Sequence, residues 1–573
     1  MTDNHSPSTG PSVKSSGLNG SGQRIFIGVA WPYANGSLHL GHVAALLGAD
    51  VLARYWRAAG SDVLMVSGSD CHGTPIVVAA EAQGVEPAEI AQKYHKEFAE
   101  NLIHGLKFSY DLYTTTTTPL HEKVVQDIFL KLYEKGDIYK KTEELPYCPK
   151  CQRFLPDRYI EGECPKCQYS GARGDQCDEC GSLLDPRELI NPKCKICGTK
   201  PEWRESEHFF LKLSAFEGQL VEWVKKAEGW RGNAKNFTLK YLEQGLRDRA
   251  ITRDTEYGVP IPLPGYESKR IYVWFEAVSG YWSASQEWAS EQGDVNLWKK
   301  FWQEDDILAY YVHGKDNIPF HTIIWPAMLL AHGNLHLPDR IISSEYLTLE
   351  KKQFSTSRHF AVWLPDFLAK FPADTLRYYL IANGPETADA DFTWLEFQSR
   401  VNAELIGNFG NFVHRILSFI AKHFPDGVDF PAGLNDEQNK FIGLAKEIYF
   451  KAGVAIGDGH FREALKDIFN LIDAGNKFVE QVSSWVKIKE DKEATGRDLA
   501  VVANVIANLS VLLKPFLPET AEKISALLGL EKDLPWRYFE TGKIIIANPL
   551  PIFKKIEDGA VEEMQYDLFK KQK

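Results

Sequence analysis

No window of this chain approaches the roughly 20 apolar residues that a membrane-spanning helix needs, so no membrane partner is expected. The first twenty-three residues lack an apolar core and are rich in Ser, Gly, Asn and Pro. That excludes a secretory signal peptide and predicts a disordered tail, which points to a cytoplasmic protein. Positive charge is also short: 65 Lys and Arg stand against 77 Asp and Glu, a net charge of −12. Proteins that coat nucleic acid without selectivity do so by neutralising phosphates, and this composition argues against that class. A grip on one folded RNA through local basic patches stays open. Cysteine is scarce outside a single pattern. Eight of nine cysteines form four Cys-x-x-Cys pairs, Cys148/Cys151, Cys164/Cys167, Cys177/Cys180 and Cys194/Cys197, and only Cys71 stands apart.

Without a signal peptide, pairs at this spacing read as structural zinc rather than disulfides, and two Cys₄ sites would use every paired thiolate. The segment that carries them, Tyr147 to Pro201, is too short to bury a core of its own without metal. A chain of 573 residues, 44% of them apolar, should form three or more domains. The organising stretch is Ile25 to Gly60. The run Ile25-Phe26-Ile27-Gly28-Val29-Ala30 reads as a buried strand, Trp31-Pro32-Tyr33-Ala34-Asn35-Gly36-Ser37 as a turn, and Val43, Leu46, Leu47, Val51, Leu52 and Tyr55 as one face of a helix. Ser37 is the expected N-cap and Gly60 the stop. Such a helix start favours an anion, and His39 and His42, at i and i+3, could both donate to phosphate oxygens.

A second buried strand, Val63 to Ser69, ends at Asp70, which faces the ligand crevice of a parallel sheet. Asp70 is placed to pair with a substrate ammonium or, alternatively, to cap the next helix. Amphipathic helices follow over Glu86 to Leu106 and His121 to Gly136. Beyond the cysteine segment, Arg270 to Ala277 and Ile307 to Asp316 read as strands, so one split sheet carries an insertion. The chain from Trp394 onward reads as a helical bundle, with no strand before Lys543 to Ile546. The expected fold is α/β: a Rossmann-like parallel sheet split by a zinc-knuckle insertion and followed by an all-α bundle. The expected division is a tail over 1–23, a first catalytic half over 24–124 and a connective insertion over 125–240. A second catalytic half over 241–345, a signature loop and linker over 346–394, a helical domain over 395–540 and a C-terminal tail over 541–573 complete it.

Pro32-Tyr33-Ala34-Asn35-Gly36 followed by His39-Leu40-Gly41-His42 resembles the signature of class I aminoacyl-tRNA synthetases, and the lead-in is similar to that of methionyl enzymes. The segment Asp70-Cys71-His72-Gly73-Thr74-Pro75 is similar to theirs as well. The resemblance covers roughly residues 24 to 550. It implies a ligase that activates L-methionine with ATP and Mg²⁺ to methionyl-adenylate, then passes the methionyl group to the terminal ribose of tRNA(Met). On that resemblance Ala30, Trp31, Tyr33, Asp70, Trp274, Ala277, Tyr281 and His321 line the amino-acid site, while His39, His42, Gly314, Asp316 and Thr356 meet ATP. It also groups Cys164, Cys167, Cys177 and Cys180 on one zinc and Cys148, Cys151, Cys194 and Cys197 on another. Asn411 and Arg415, four apart on one helical face, and Trp485 would read the anticodon, with Lys487 and Lys489 marking an RNA-facing edge.

One signature departs from the pattern. In Leu349 to Arg358, Gln353 and Thr356 stand where two lysines are expected, leaving Lys351, Lys352 or Arg358 to meet the leaving pyrophosphate. Isoleucyl, valyl and leucyl enzymes discriminate a methylene worth only about 1–3 kcal/mol and therefore carry an editing domain; knuckles fill that insertion here. A cysteinyl enzyme would need a zinc near His39. A catalytically silent RNA-binding relative is the alternative from another class, disfavoured by intact His39, His42 and Asp70. No appended dimerisation domain is visible, so a monomer is the default.

Overall fold

The computed structural model describes residues 22–570 except 157–158, 175–176, 178, 181, 183, 356–359 and 483. Its centre is a five-stranded, all-parallel sheet of β1 (Arg24–Val29), β2 (Asp62–Ser69), β3 (Leu112–Thr115), β4 (Ile307–Gly314) and β5 (Arg340–Ser344), in the order β5-β4-β1-β2-β3. These strands are near-continuous apolar runs because helices cover both faces. The order reverses between β1 and β4, and at such a switch point the connections leave in opposite directions and open a crevice beyond the strand ends.

Helix α1 (Leu40–Ala58) follows β1 and buries Leu40, Val43, Leu46, Leu47, Val51, Leu52 and Tyr55, the expected face. Its N-cap is His39, not Ser37: the His39 ring accepts the Gly41 N–H, satisfying a donor that the expected serine would have taken. Arg270 to Ala277 is not a strand of this sheet. Only Arg270–Ile271 pairs, with Thr252–Arg253, and α2 (Val273–Glu291) starts immediately afterward. The aromatic and β-branched run has strand propensity, but packing of Phe275, Val278, Tyr281 and Trp282 into the core beneath the sheet overrides it. Between β3 and α2 the chain leaves along an antiparallel ribbon, Ile138–Cys148 against Glu202–Leu211, which carries the cysteine pairs at its far end.

The helical part contains α3 (Ala373–Asn383), α4 (Asn411–His423), α5 (Asp436–Gly457), α6 (Phe461–Gln481) and α7 (Lys492–Leu513). By length and composition α7 could cross a membrane, contrary to the sequence expectation, yet 89% of its apolar window is buried. It is the hub that α4, α5 and α6 surround. Lys543 to Ile546 forms no strand, only a bridge from Ile544 to Val428. The last segment is more than a charged tail, because Ile552, Ile556, Val561, Met564 and Leu568 are buried against the main core.

A fully buried ion pair joins sheet and bundle. Asp50 of α1 and Arg377 of α3 are fully buried, with Arg377 Nη2 2.7 Å from Asp50 Oδ2. Arg377 also donates to the carbonyls of Phe516, Pro515 and Leu106, and Asp50 accepts from Arg54 and from the backbone and hydroxyl of Ser109. Burial would raise the Asp50 pKa, but Arg377 and Arg54 outweigh it and hold the carboxyl at about 2. Removing one member of a buried pair strands the other, so Asp50→Ala should lose about 3–5 kcal/mol of unfolding free energy in urea titration. Asp50→Leu combined with Arg377→Met should recover most of it, and a loss below about 1 kcal/mol for the single change would show that the pair is dispensable.

Candidate active site

β1 ends at Val29, the N–H of the next residue, Ala30, donates to the Val312 carbonyl of β4 at 3.0 Å, and the chain turns through Trp31, Pro32 and Tyr33 toward α1. The turn is anchored on the other side by Asp70, whose N–H donates to the Pro32 carbonyl at 2.9 Å and whose carbonyl accepts from Ala34 at 2.8 Å. Both ends of the first βα unit are thereby fixed to neighbouring strands, so α1 starts at one place over the crevice.

At that start the two imidazoles stack with centroids 3.8 Å apart. Gly41 N–H donates to His39 Nδ1 at 3.1 Å and His39 N–H donates to His42 Nδ1 at 3.2 Å. Since a backbone N–H can only donate, each Nδ1 is an acceptor and the proton of each neutral ring sits on Nε2. Burial holds the His39 pKa well below its ordinary value and lowers that of His42 to about 4, so both rings are neutral donors at pH 7. A Cβ at Gly41 would lie 3.0 Å from the His39 ring, which explains the glycine. Phe354 covers the other face of His39, stacked at 4.7 Å and 11°.

Phe354 belongs to the second signature. Leu347–Leu349 pairs with Lys352–Gln353 through a turn at Glu350 and Lys351, whose φ values are 47° and 63°. Lys351 and Lys352 are exposed on this hairpin. Thr356 and Arg358 lie outside the described residues. Beside it, the Tyr346 hydroxyl donates to Asp316, and Lys315 bridges Glu345 and Asp389 at 2.8 Å each. Gly314 ends β4 with only Ala45 near its face toward α1. A small cleft lies beside it along α1, lined by Ala44, Ala45, Val312, Ser344 and Arg231.

On the opposite side of β1 the aromatic residues form a wall. Trp274 and Phe320 stack at 3.8 Å and 4°, Tyr33 meets Trp274 edge-on at 5.9 Å, and Ala277 lies one turn along α2 from Trp274. The Tyr281 hydroxyl donates to His321 Nε2 at 2.7 Å, while His321 Nδ1 donates to the Asn317 carbonyl at 2.8 Å. Burial lowers the His321 pKa to about 4, consistent with that neutral tautomer. Trp31 lies flat beside Gly68, where a Cβ would fall 2.4 Å from its ring. Asp70 is buried and accepts the His72 N–H at 3.3 Å; the helix Thr74–Gln83 has no side-chain cap, so Asp70 does not serve as one.

The eight paired cysteines form two quartets, Cys148, Cys151, Cys194 and Cys197, and Cys164, Cys167, Cys177 and Cys180, each with all four sulfurs within 4.8 Å of one another. Facing sulfurs lie 3.5 and 3.9 Å apart in both quartets. Four thiolates at about 2.3 Å from a central metal would be roughly 3.8 Å apart at the corners of a tetrahedron, whereas a disulfide would bring a pair to about 2 Å. The quartets could each hold a metal ion and would leave it no open position.

In the bundle, Asn411 and Arg415 are exposed one turn apart on α4. The Arg415 guanidinium lies 5.5 Å from the Trp485 ring centroid and donates to Asn476 at 2.9 Å, and Phe419 meets Trp485 edge-on at 4.4 Å. The three expected residues therefore share one surface. Lys487 does not extend it: its ammonium is held 2.8 Å from the buried carboxylate of Asp498, while Lys489 remains exposed.

Two family models match the chain, "tRNA synthetases class I (M)" over residues 25–417 and "Anticodon binding domain of methionyl tRNA ligase" over 451–572. A methionine-tRNA ligase of Dehalococcoides mccartyi is 51% identical over 548 residues, spanning 94% of this chain and 98% of the relative. The chain belongs to the methionyl-tRNA synthetases. One from Bacillus cereus is 47% identical over 541 residues, again across 94% and 98% of the two chains. The structure of Mycobacterium tuberculosis methionyl-tRNA synthetase in complex with methionyl-adenylate has the same fold, with a TM-score of 0.77 at 24% identity over 93% of this chain and 99% of that one.

Sequence reasoning overlooked three parts of this synthetase site. Phe354 lies within the second signature and Phe320 directly before His321, but nothing in spacing shows that one covers His39 and the other stacks on Trp274. The third is a buried group formed by His72, Glu276 and His121 behind Asp70. Reading residues 270–277 as a strand hid Glu276, because alternation does not distinguish a buried carboxylate from a solvent-facing one.

Histidine-selective NMR should find His42 as the neutral Nε2–H tautomer at pH 6, protonating only near pH 4. Because the unfolded chain protonates this side chain near pH 6.5, stability should fall as pH drops from about 6.5 toward 4. Titration near 6.5 in the folded protein would show that the stacked pair is open to solvent.

Proposed function

We propose that this chain charges tRNA(Met) with methionine in two steps, using the residues assembled around β1 and α1. The methionine carboxylate attacks the α-phosphate of ATP, pyrophosphate leaves, and the terminal ribose hydroxyl of the tRNA then takes the methionyl group from the adenylate. The observation that carries this reading is the stacked His39 and His42 pair, two neutral donors fixed at a helix start where an anion is already favoured. No side chain becomes covalently attached, so the work is positioning and charge stabilisation.

Asp70 holds the α-ammonium. Ala30, Trp31, Tyr33, Trp274, Ala277, Tyr281 and His321 enclose the thioether, for which polarizable aromatic walls are well suited. Gly314 and Asp316 face the adenosine, with ATP entering as its Mg²⁺ complex. Lys351 and Lys352, exposed on the hairpin that carries Phe354 over His39, meet the leaving pyrophosphate, with Thr356 and Arg358 assigned to the same loop. Asn411, Arg415 and Trp485 take the unstacked anticodon bases. Zinc in both quartets makes the tip of the insertion rigid; the small buried cluster there is only four cysteines with Leu155, Tyr159, Ile160, Ala172 and Leu189. The domain division given above belongs to this reading, as do a monomeric state and a cytoplasmic location.

Amino-acid-dependent exchange of pyrophosphate into ATP, run with each of the twenty amino acids, should depend on methionine alone. His42→Ala should slow it about 10²-fold or more, the usual effect of losing one transition-state donor. Trp485→Ala should leave exchange intact but weaken tRNA charging by about 1–3 kcal/mol, which a fall in exchange would contradict. Native mass spectrometry should count two zinc ions per chain, with Cys148→Ala and Cys164→Ala each removing one. Retention of both ions would overturn the grouping.

A further inference from the structure

Behind Asp70 lies a buried group that the two-step reaction does not use. Glu276, on α2, is fully buried. Its Oε1 hydrogen-bonds to His72 Nδ1 and lies 3.6 Å from His121 Nε2. Its Oε2 has no hydrogen-bond partner among the described residues. His121 is itself oriented by Ser283, 2.8 Å from its Nδ1. The Tyr257 ring meets His72 edge-on at 5.1 Å, and its hydroxyl is buried and likewise unpartnered. His72 connects this group to Asp70, since its ring is held by Glu276 while its backbone N–H donates to Asp70 Oδ1 at 3.3 Å.

We propose that Glu276 is a positioning residue for amino-group recognition: by holding the His72 ring it fixes the backbone donor that orients Asp70. The inference rests on the reading in which Asp70 holds the α-ammonium of methionine.

The electrostatics point the same way. Burial and then the Glu276 charge hold the Asp70 pKa well above the carboxylate range, opposed only by the His72 N–H. Burial alone would lower the His72 pKa, but Glu276 outweighs it and raises it, with a further contribution from Glu122. Burial would raise the Glu276 pKa, yet His72 and His121 outweigh it and lower it, so Glu276 and His72 favour each other's charged forms. The other titratable groups facing Asp70 are Cys71 and Tyr257, both pushed up by burial and neutral at pH 7. Two carboxylates, Asp70 and Glu276, are thus enclosed together, with the His72 ring held by Glu276. Asp70 lacks a counterion of its own until an ammonium arrives, and it keeps its proton to higher pH than a solvated aspartate. When an ammonium binds the protonated form, that proton passes to solvent.

The sign follows from this. The folded Asp70 pKa is raised, so methionine binding weakens as pH falls through that raised value. Removing the Glu276 charge removes one of the two causes and moves the acidic limb to lower pH.

The test measures pyrophosphate exchange by the full-length, zinc-loaded enzyme as a function of pH for wild type, Glu276→Gln and Asp70→Asn, with KM for methionine and for ATP determined separately. Glu276→Gln should raise KM for methionine several-fold at pH 8 with KM for ATP unchanged, and its acidic limb in kcat/KM for methionine should lie below that of wild type. Equal effects on both substrates, or an unmoved limb, would overturn the inference and leave Glu276 a packing residue. Asp70→Asn separates the two readings. If it leaves KM for methionine unchanged, the Asp70 assignment itself fails; if it raises that KM while Glu276→Gln does not, only the Glu276 inference fails. Should Glu276→Gln not fold, wild type alone decides. Calorimetry of methionine binding in two buffers of different ionisation enthalpy should show proton release that grows as pH falls, and no release would overturn the inference.

Discussion

The buried contact between Asp50 and Arg377 governs how the two halves of this enzyme sit on each other. Asp50 lies on the helix that His39 caps, three turns beyond that cap, and Arg377 belongs to α3, beyond the signature loop. The guanidinium directs its other donors to the carbonyls of Pro515 and Phe516, just beyond the end of α7, and of Leu106. Burying two charges is costly unless each is completely hydrogen-bonded. Only one arrangement of α1, α3 and the end of α7 provides all of those bonds, so the pair fixes where the bundle docks. Because α1 is a rigid rod, the same contact fixes the face that its first turn presents to the crevice.

At the other end of α1 the chemistry depends on neutrality. Two imidazolium ions stacked at van der Waals distance would repel each other, and burial already disfavours the charged form of each. The backbone donors at His39 and Gly41 settle the tautomer. A pair of Nε2–H groups can therefore meet a phosphate without a change in protonation. The amino-acid side of β1 follows the opposite strategy. There, two carboxylates, Asp70 and Glu276, are enclosed together with two histidines, His72 and His121.

The insertion shows a third solution. Its tip has few apolar side chains to bury, and sulfur takes their place: five of the nine residues in its small buried cluster are Leu155, Tyr159, Ile160, Ala172 and Leu189, and the other four are cysteines. The ribbon that carries it is anchored at its base against the core beneath the sheet through Ile138, Phe209 and Leu211. Rigidity at one end comes from packing and at the other from thiolate geometry.

The sequence by itself determined the elements that depend on local pattern. The apolar run of β1, the 3.6-residue spacing along α1, the four cysteine pairs and the order of the signatures are all short-range, and each survived in the structure. So did the parallel sheet with its interruption, because apolar strands bounded by helices have few other ways to be covered. Tertiary structure decided what depends on competition between distant partners. Residues 270–277 have the side chains of a strand, but burial on a 19-residue helix wins. Lys487 looks like an RNA-facing cation until Asp498 is seen to hold it. His39 becomes the cap because its ring is close enough to Gly41. Phe354, Phe320 and Glu276 acquire their places from segments tens or hundreds of residues away, which no local periodicity encodes.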